Sequence, residues 1–379
     1  MVCLKKVKKV KITPLFALFL KIIGIIICIC VGIMIFYFKE INQLKKIGYS
    51  YEASKNILFS KNKSYVLSIG ENKTLNKAFE SSHFDEKYLD NYSKIKYVNH
   101  EHFIENINKL LKKGYSNTDI NLIVTHGSDS DVTEFCKRDK VRYLEEFYTF
   151  DYAKIKNYDR YVSYSDLTGE SEEDVVIMIN LDLDKNDYEN PYEVKSFSTD
   201  MLINKHRCLS DKFEPDDLVE IDDKYASESD FKASRIALNA FVEMYNAASK
   251  DGYSLIINSA YRSYKDQEDI IDTYRNSYGQ AYVDKYVAKA GFSEHQTGLA
   301  FDIGSRENRV FAQSKEYNWM QDNAYKYGFI YRYDKRYENI TGFRNEAWHY
   351  RYVGKKIAKY IYEHNNMSLE EYFVLFLDK

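Results

Sequence analysis

The chain has few of the residues that mark several common protein classes. Five cysteines in 379 residues are too few for a disulfide scaffold, and none forms a C-x-x-C pair. The 54 basic residues do not exceed the 57 acidic ones, which argues against a nucleic-acid-binding protein. Prolines number 3 and tyrosines 36, a contrast that we attribute to genome composition and not to mechanism.

Two of the cysteines lie in the body of the protein, outside the N-terminal region. For Cys136 and Cys208 we expect free thiols, with a single long-range disulfide as the alternative. A motif is also missing: no H-E-x-x-H occurs, which excludes the usual helical zinc-protease site.

One long apolar run is present near the N-terminus, from Leu15 to Phe38, interrupted only by Lys21. Its length predicts a transmembrane helix. Lysines precede it without any acidic residue, so the tail is expected to remain in the cytoplasm and the rest of the chain to be exported. A cleavable signal peptide is the rival interpretation, but no small-x-small cleavage site follows the run. A buried core helix is the other alternative.

These features divide the chain into four predicted parts. A cytoplasmic basic tail (1–13) precedes a transmembrane anchor (14–38). An extracytoplasmic stalk or accessory region (39–200) then leads to a catalytic domain (201–379). No internal repeat is evident. In the accessory region we expect a helix over 103–113, a second helix capped by Ser116, and a buried strand over 174–181. The His100-x-His102 pair is interpreted as surface histidines and not as a metal site, because no ligand cluster accompanies it.

The C-terminal region alternates irregularly between helical and extended patterns. Helices are predicted over 231–249, after the cap at Ser263, over 281–290 and over 314–327; strands are predicted over 255–261, 298–303 and 329–333. No strict strand–helix–strand repeat is visible. The fold class is therefore predicted as α+β, with a small antiparallel sheet and helices packed on it.

Three short islands in this region carry the residues that can do chemistry. They read Ser259-Ala-Tyr-Arg-Ser-Tyr, Ser293-Glu-His-Gln-Thr-Gly-Leu-Ala-Phe-Asp-Ile and Glu346-Ala-Trp-His-Tyr-Arg-Tyr-Val. His295, Asp302 and His349 could form a catalytic zinc shell, since two histidines and one carboxylate leave a position open for water. Glu346 is predicted to be the base and not a fourth ligand, because a closed shell would exclude that water.

Asp302 is the most informative of these residues. It stands between Phe301 and Ile303, and a carboxylate buried there without a cation would be costly. A salt bridge to an arginine is the alternative explanation. Strand alternation places Ala300 and Asp302 on one face, opposite the apolar neighbours. Trp348 could line the pocket or belong to the core.

The same islands resemble the VanY-type D-alanyl-D-alanine carboxypeptidases, bacterial zinc peptidases of the cell wall. The resemblance covers about Leu202 to Phe373, and the motifs follow the family order. The chain departs from the family pattern at two positions, Ala290 and Ala347, where the family often has proline. Neither departure removes a candidate ligand.

This resemblance implies one Zn²⁺ ion per domain and the fold that these enzymes share with lysostaphin-type peptidases and the hedgehog signalling domain. It also implies removal of a terminal D-Ala from peptidoglycan stem peptides, in a D,D- or an L,D-reaction. Arg262 is expected to bind the substrate or its transition state. Gln267 and Ser293 match family positions near the substrate.

Two other functions remain open at this point. A wall endopeptidase would cut cross-links internally and would need an open groove. A zinc-containing wall-binding or signalling domain would keep the fold without catalysis, but it would need neither Glu346 nor Arg262. The partners expected are stem peptides and, through the N-terminal helix, the membrane; no nucleic acid is expected, and the sequence does not indicate the oligomeric state.

Overall fold

The computed structural model describes residues 13–378. The lysines of the basic tail, up to Lys11, lie outside the described residues. The chain forms two compact units, one that ends at Thr149 and one that begins at Phe150.

The first unit is helical throughout its described secondary structure. Its helices are α1 (Pro14–Ile47), α2 (Tyr51–Leu58), α3 (Lys63–Ile69), α4 (Lys73–Glu80), α5 (Leu89–Lys94), α6 (Phe103–Lys112), α7 (Asn117–Thr125), α8 (Asp129–Phe135) and α9 (Leu144–Tyr148), with a 3-10 turn at Glu86–Tyr88. Short helices of this kind gain most of their stability from packing, and their apolar faces are buried against one another.

Helix α1 contains the apolar run and continues past it. Within residues 13–378 it is the helix that is long and apolar enough to cross a membrane. Its apolar part is exposed, but Ile41 and Leu44 near its C-terminal end are buried. Glu40 in the same stretch forms an ion pair with Lys63 of α3. The end of α1 is therefore part of the packed first unit.

A Gly-Tyr-Ser turn between two helices occurs twice in the first unit. Gly48-Tyr-Ser50 and Gly114-Tyr-Ser116 each end one helix and cap the next. Both glycines have positive φ, and both tyrosines are buried.

The second unit combines helices with short strands. In chain order its elements are α10 (Tyr158–Thr168), α11 (Glu172–Asn180), β1 (Tyr192–Glu193), β2 (Arg207–Cys208), β3 (Leu218–Glu220), β4 (Lys232–Ser234), α12 (Arg235–Lys250), β5 (Leu255–Ser259), α13 (Tyr264–Tyr278), α14 (Gln280–Tyr286), β6 (Ala300–Ser305), α15 (Lys315–Asn323), β7 (Phe329–Tyr331), α16 (Glu338–Thr341), β8 (His349–Tyr352), α17 (Lys355–Glu363) and α18 (Leu369–Phe376).

A four-stranded sheet forms the centre of this unit, in the order β5-β6-β8-β7, with every neighbouring pair antiparallel. The predicted α+β class with a small antiparallel sheet is confirmed. Side chains alternate across the sheet: Phe301, Ile303 and Tyr350 point into a hydrophobic core that includes Phe241 of α12. Asp302 and His349 alternate with them and therefore lie on the opposite face.

Several boundaries differ from the sequence-based expectations. Residues 174–181 are not a strand: Val175 to Ile179 lie in α11, whose start is capped by Ser171. A short apolar run that is buried on all sides does not distinguish a strand from a helix. Residues 232–234 form β4, so the helix predicted from 231 begins at Arg235. Helix α14 ends at Tyr286, short of the predicted 290, and the helix predicted over 314–327 ends at Asn323 and continues as a 3-10 turn over Ala324–Tyr327.

Candidate metal centre and active site

Strand pairing brings two of the predicted ligands together. Asp302 on β6 lies directly opposite His349 on β8, and His349 Nδ1 is 3.2 Å from Asp302 Oδ1. The alternation of both strands directs these side chains away from the hydrophobic core. The predicted face of Asp302 is thus the face on which the site forms.

The third predicted ligand comes from the 3-10 turn Glu294–Thr297, just before β6. His295 Nδ1 donates a hydrogen bond to the carbonyl of Ala260 at 2.6 Å, which leaves Nε2 free, 3.4 Å from Asp302 Oδ1. Gly298 ends the turn with φ of 66°, and a Cβ there would lie 2.9 Å from the backbone nitrogen of Ser234. Only glycine fits this close approach, which sets the position of His295 relative to β6.

The geometry of the three donors fits a tetrahedral metal ion. The donor atoms of His295, Asp302 and His349 all lie within 4.8 Å of one another. Ligands about 2.0–2.2 Å from zinc at tetrahedral angles are about 3.3–3.6 Å apart. The distances of 3.4 and 3.2 Å to Asp302 Oδ1 are close to this separation. The set of two imidazoles and one carboxylate is also one that zinc prefers.

Behind His349 lies a fully buried ionic network that the sequence does not reveal. Glu294 Oε2 accepts a hydrogen bond from His349 Nε2 at 3.1 Å, which leaves Nδ1 as the atom that faces Asp302. The other carboxylate oxygen of Glu294 accepts hydrogen bonds from Arg332 at 2.8 Å and from Arg351 at 3.1 Å. Arg332 also forms a bidentate ion pair with Glu370 of α18, at 2.7 and 2.9 Å. Glu294 therefore fixes the orientation of His349.

These neighbours shift the ionisation of the buried groups. Burial would raise the pKa of Glu294, but the charges of Arg332 and Arg351 hold it well below its usual range. Burial would likewise raise the pKa of Asp302, but the adjacent imidazoles of His295 and His349 keep it far below normal. Both carboxylates are consequently charged at neutral pH, as a metal ligand and its supporting anion need to be.

The two histidines respond in opposite directions. Burial and the nearby positive charge of Arg262 lower the pKa of His295 to about 4. Burial also acts to lower the pKa of His349, but hydrogen bonds to Asp302 and Glu294 raise it to about 9. His295 is therefore neutral and ready to bind a metal, whereas His349 must first release a proton.

Glu346 lies at the edge of the donor set. Its Oε2 is 3.8 Å from His349 Nδ1, and its backbone is held by a hydrogen bond to the carbonyl of Tyr333. Burial raises the pKa of the Glu346 carboxyl to about 7, although the neighbouring His349 acts in the opposite direction. A carboxyl with a pKa near neutrality can both accept and release a proton in one reaction cycle.

The predicted substrate-binding residues surround the same point. Arg262 is placed by the junction of β5 with α13, and its Nε is buried without a hydrogen-bond partner among the described residues. Gln267 donates to the carbonyl of Ala288 at 2.8 Å, while its buried Oε1 is likewise unpartnered within residues 13–378. Ser293 accepts a hydrogen bond from the backbone of His295. A buried donor and a buried acceptor are thus available to a ligand.

A cleft of about 410 Å³ opens onto these groups. Trp348 lines it and is 44% exposed, so this tryptophan belongs to the cleft and not to the core. Tyr333, which the sequence analysis did not single out, also lines the cleft and packs its ring 4.8 Å from that of His349. All of the predicted site residues line this one cleft: Arg262, Gln267, Ser293, His295, Asp302, Glu346 and His349.

Other candidate residues lie elsewhere. His102 Nδ1 is 2.6 Å from Asp129 and belongs, with Glu101, to an exposed group in the first unit, where the ion pair explains its position. Cys136 and Cys208 are free thiols, as expected.

Comparison with known proteins identifies the domain. The family model for D-alanyl-D-alanine carboxypeptidases of the VanY type matches residues 230–355, which include every predicted site residue. The putative carboxypeptidase YodJ of Bacillus subtilis is 46% identical over 180 residues, which cover 45% of this chain and 66% of YodJ. The chain belongs to the VanY family. Its C-terminal unit is accordingly a metallopeptidase domain of the carboxypeptidase type.

Other carboxypeptidases are also similar to this chain. A D-alanyl-D-alanine carboxypeptidase of Enterococcus faecalis is 39% identical over 140 residues, covering 34% of this chain and 51% of the relative. The solved structure of the LdcB LD-carboxypeptidase is 45% identical, with a TM-score of 0.43, and covers 45% of this chain and 84% of that one. The chain spans between 45% and 66% of the length of the curated relatives it matches.

Proposed function

We propose that the protein is a zinc-dependent D-alanyl-D-alanine carboxypeptidase, of D,D- or L,D-specificity, that trims peptidoglycan stem peptides. The observation that carries the proposal is the convergence in one cleft of two imidazoles, one carboxylate, a separate glutamate and an arginine whose buried Nε has no hydrogen-bond partner among residues 13–378. The family relationship supports the same reaction, because the family model named for this activity matches residues 230–355, which include all of the residues that line the cleft.

In this proposal His295, Asp302 and His349 hold one zinc ion. Bound zinc would supply a Lewis acid that polarises the scissile carbonyl and makes a water molecule more acidic. The chain provides the rest: Glu294 holds the His349 ring in place, and Ala260 holds that of His295. Both rings therefore present a defined nitrogen to the ion.

Glu346 acts as the general base. Its carboxylate accepts the proton of the attacking water, and the same group then passes this proton to the departing amine of the terminal residue. In the metal-free site, burial raises the pKa of the Glu346 carboxyl to about 7. A carboxyl raised above its usual range in this way is suited to accept a proton and to release it again. The attack of water forms the new C–O bond, the C–N bond then breaks as the carbonyl double bond re-forms, and the products are a shortened peptide and a free amino acid.

Arg262 is proposed to bind the terminal carboxylate of the substrate or the oxyanion of the transition state. A guanidinium offers a planar set of donors that matches either group. Its buried Nε has no partner among the described residues, so a ligand would supply the missing acceptor. Gln267 and Ser293 are proposed to contact the substrate beside it.

We further propose that α1 anchors the enzyme in the bacterial cell membrane, with the lysine-rich tail in the cytoplasm and the catalytic domain outside. The support is the length and apolar composition of α1. This location would expose the cleft to wall precursors.

The test uses the full-length chain in detergent, with muropeptides as substrate and mass spectrometry as the readout. Loss of a single terminal D-alanine, abolished by a chelator and restored by zinc, is the expected result. Amidation of the terminal carboxylate should lower kcat/KM by about 100-fold, the scale expected when a charged hydrogen bond is lost. Equal rates on free and amidated peptides would refute the carboxypeptidase assignment and favour an endopeptidase.

A further inference from the structure

Four tyrosines form a connected group on α13 and α14 that the proposed reaction does not use. We call Tyr274, Tyr278, Tyr282 and Tyr286 the tyrosine cluster. Tyr282 is at its centre, with ring centroids 5.8 Å from Tyr274, 4.8 Å from Tyr278 and 4.8 Å from Tyr286. The outer three remain exposed, by 38%, 64% and 42%. Aromatic surface this exposed and this contiguous is characteristic of a binding surface.

The tyrosine cluster is continuous with the catalytic cleft. Gln267, Ile270 and Tyr274 follow one another on a single face of α13, and all three line the cleft. Tyr282 and Tyr286 of α14 line it as well. A ligand that leaves the metal site along α13 therefore meets the tyrosine rings next.

The distance along α13 indicates which part of such a ligand would lie at the tyrosine cluster. The helix rises by 1.5 Å per residue, so Tyr274 lies about 10 Å and Tyr278 about 16 Å beyond Gln267 along its axis. An extended peptide of four residues spans about 13 Å. If the terminal D-alanine is at the metal site, the N-terminal end of a stem peptide reaches the tyrosine cluster. In the cell wall that end is attached to the muramic acid of the glycan.

We infer that the tyrosine cluster is a saccharide subsite that binds the glycan attached to the stem peptide. This inference rests on the proposed function. A sugar ring has an apolar face of C–H groups that packs on an aromatic ring, and the tyrosine hydroxyls can bond to its hydroxyl groups. The enzyme would then act on glycan-linked stem peptides in preference to free peptides of the same sequence.

Binding is tested separately from turnover. The probe is the disaccharide N-acetylglucosaminyl-N-acetylmuramic acid without any peptide, added to full-length protein in detergent and followed by saturation-transfer NMR from the tyrosine ring protons. We expect magnetisation transfer to the sugar C–H protons in the unaltered protein. Transfer should be lost in Tyr282→Ala and in Tyr278→Ala. It should be retained in Tyr282→Phe, which keeps the aromatic ring. Tyr143→Ala is the matched control, because Tyr143 is exposed, belongs to the first unit and is not among the residues that line the cleft.

Turnover gives the second measurement. The unaltered enzyme should cleave a disaccharide-linked pentapeptide with a kcat/KM about 10-fold above that of the free pentapeptide, and Tyr282→Ala should reduce this ratio towards one. Absence of saturation transfer in the unaltered protein, or transfer and preference that survive both alanine variants, would overturn the inference. Disaccharide binding without cleavage of either peptide would contradict the proposed function and leave the saccharide subsite supported.

Discussion

His349 Nε2 lies 3.1 Å from Glu294 Oε2, and this hydrogen bond links the candidate metal centre to a buried chain of charges that ends on α18. Glu294, Arg332, Arg351 and Glu370 have fully buried side chains. The orientation of one proposed ligand thus depends on residues far from it in the sequence.

Replacing Glu294 with glutamine should weaken metal binding and destabilise the domain. An amide cannot neutralise Arg332 and Arg351, so we expect a loss of about 3–5 kcal/mol in the free energy of unfolding. Zinc affinity should fall about 10- to 100-fold, because the support of His349 is weakened. Chelator competition and thermal unfolding measure the two effects. Glu243→Gln, which alters an exposed ion pair with Lys355, is the matched control and should change little. Wild-type zinc affinity in Glu294→Gln would disprove the supporting role.

A measurement of bound metal should distinguish the proposed zinc ligands from the proposed general base. Bound zinc should be lost when any one of the three proposed ligands is replaced, as in His295→Ala, Asp302→Ala or His349→Ala, because a site with three protein ligands tolerates the removal of none of them. Glu346→Ala should retain zinc and lose about 10²- to 10⁴-fold in kcat. Atomic absorption beside a turnover assay provides both numbers. If Glu346→Ala were as metal-free as the histidine variants, Glu346 would be a ligand and its assignment as base would be wrong.

The metal-free protein should lose stability at alkaline pH. The pKa of His349 is raised from 6.5 to about 9, so the charged imidazole stabilises the folded state most below pH 6.5. This contribution disappears as the pH rises through about 9, and it amounts to about 3 kcal/mol at most. Unfolding of chelator-treated protein at a series of pH values tests the sign. A His349→Gln variant should lack this component, and a stability that rises between pH 6.5 and 9 would contradict the prediction.

Membrane topology provides a prediction that is independent of catalysis. A reporter fused after Lys379 should be active outside the cytoplasm, and the protein should fractionate with membranes, because α1 is expected to remain as an uncleaved anchor. A cytosolic marker protein in the same fractionation is the control. Recovery of the full-length chain in the soluble cytosolic fraction would disprove the anchor.

Sequence reasoning succeeded where chemistry and local pattern coincide. Asp302 was conspicuous because a carboxylate stood between two core residues, and the helix capped by Ser263 followed from local hydrogen bonds. Sequence reasoning failed where contacts between distant parts of the chain determine the secondary structure or the partners of a side chain. The run in α11 is buried on all sides and lacks a diagnostic period, and Glu294 has partners that are 38 and 57 residues away in the sequence. No local pattern indicates which arginines will surround a given glutamate.

Helix α1 has a mechanical consequence for the proposed anchor. Its 34 residues extend for about 51 Å, whereas the hydrocarbon core of a bilayer is about 30 Å thick. The excess is not a loose connector, because Ile41 and Leu44 are packed into the first unit. Rotation or tilt of the membrane segment would therefore turn the first unit with it.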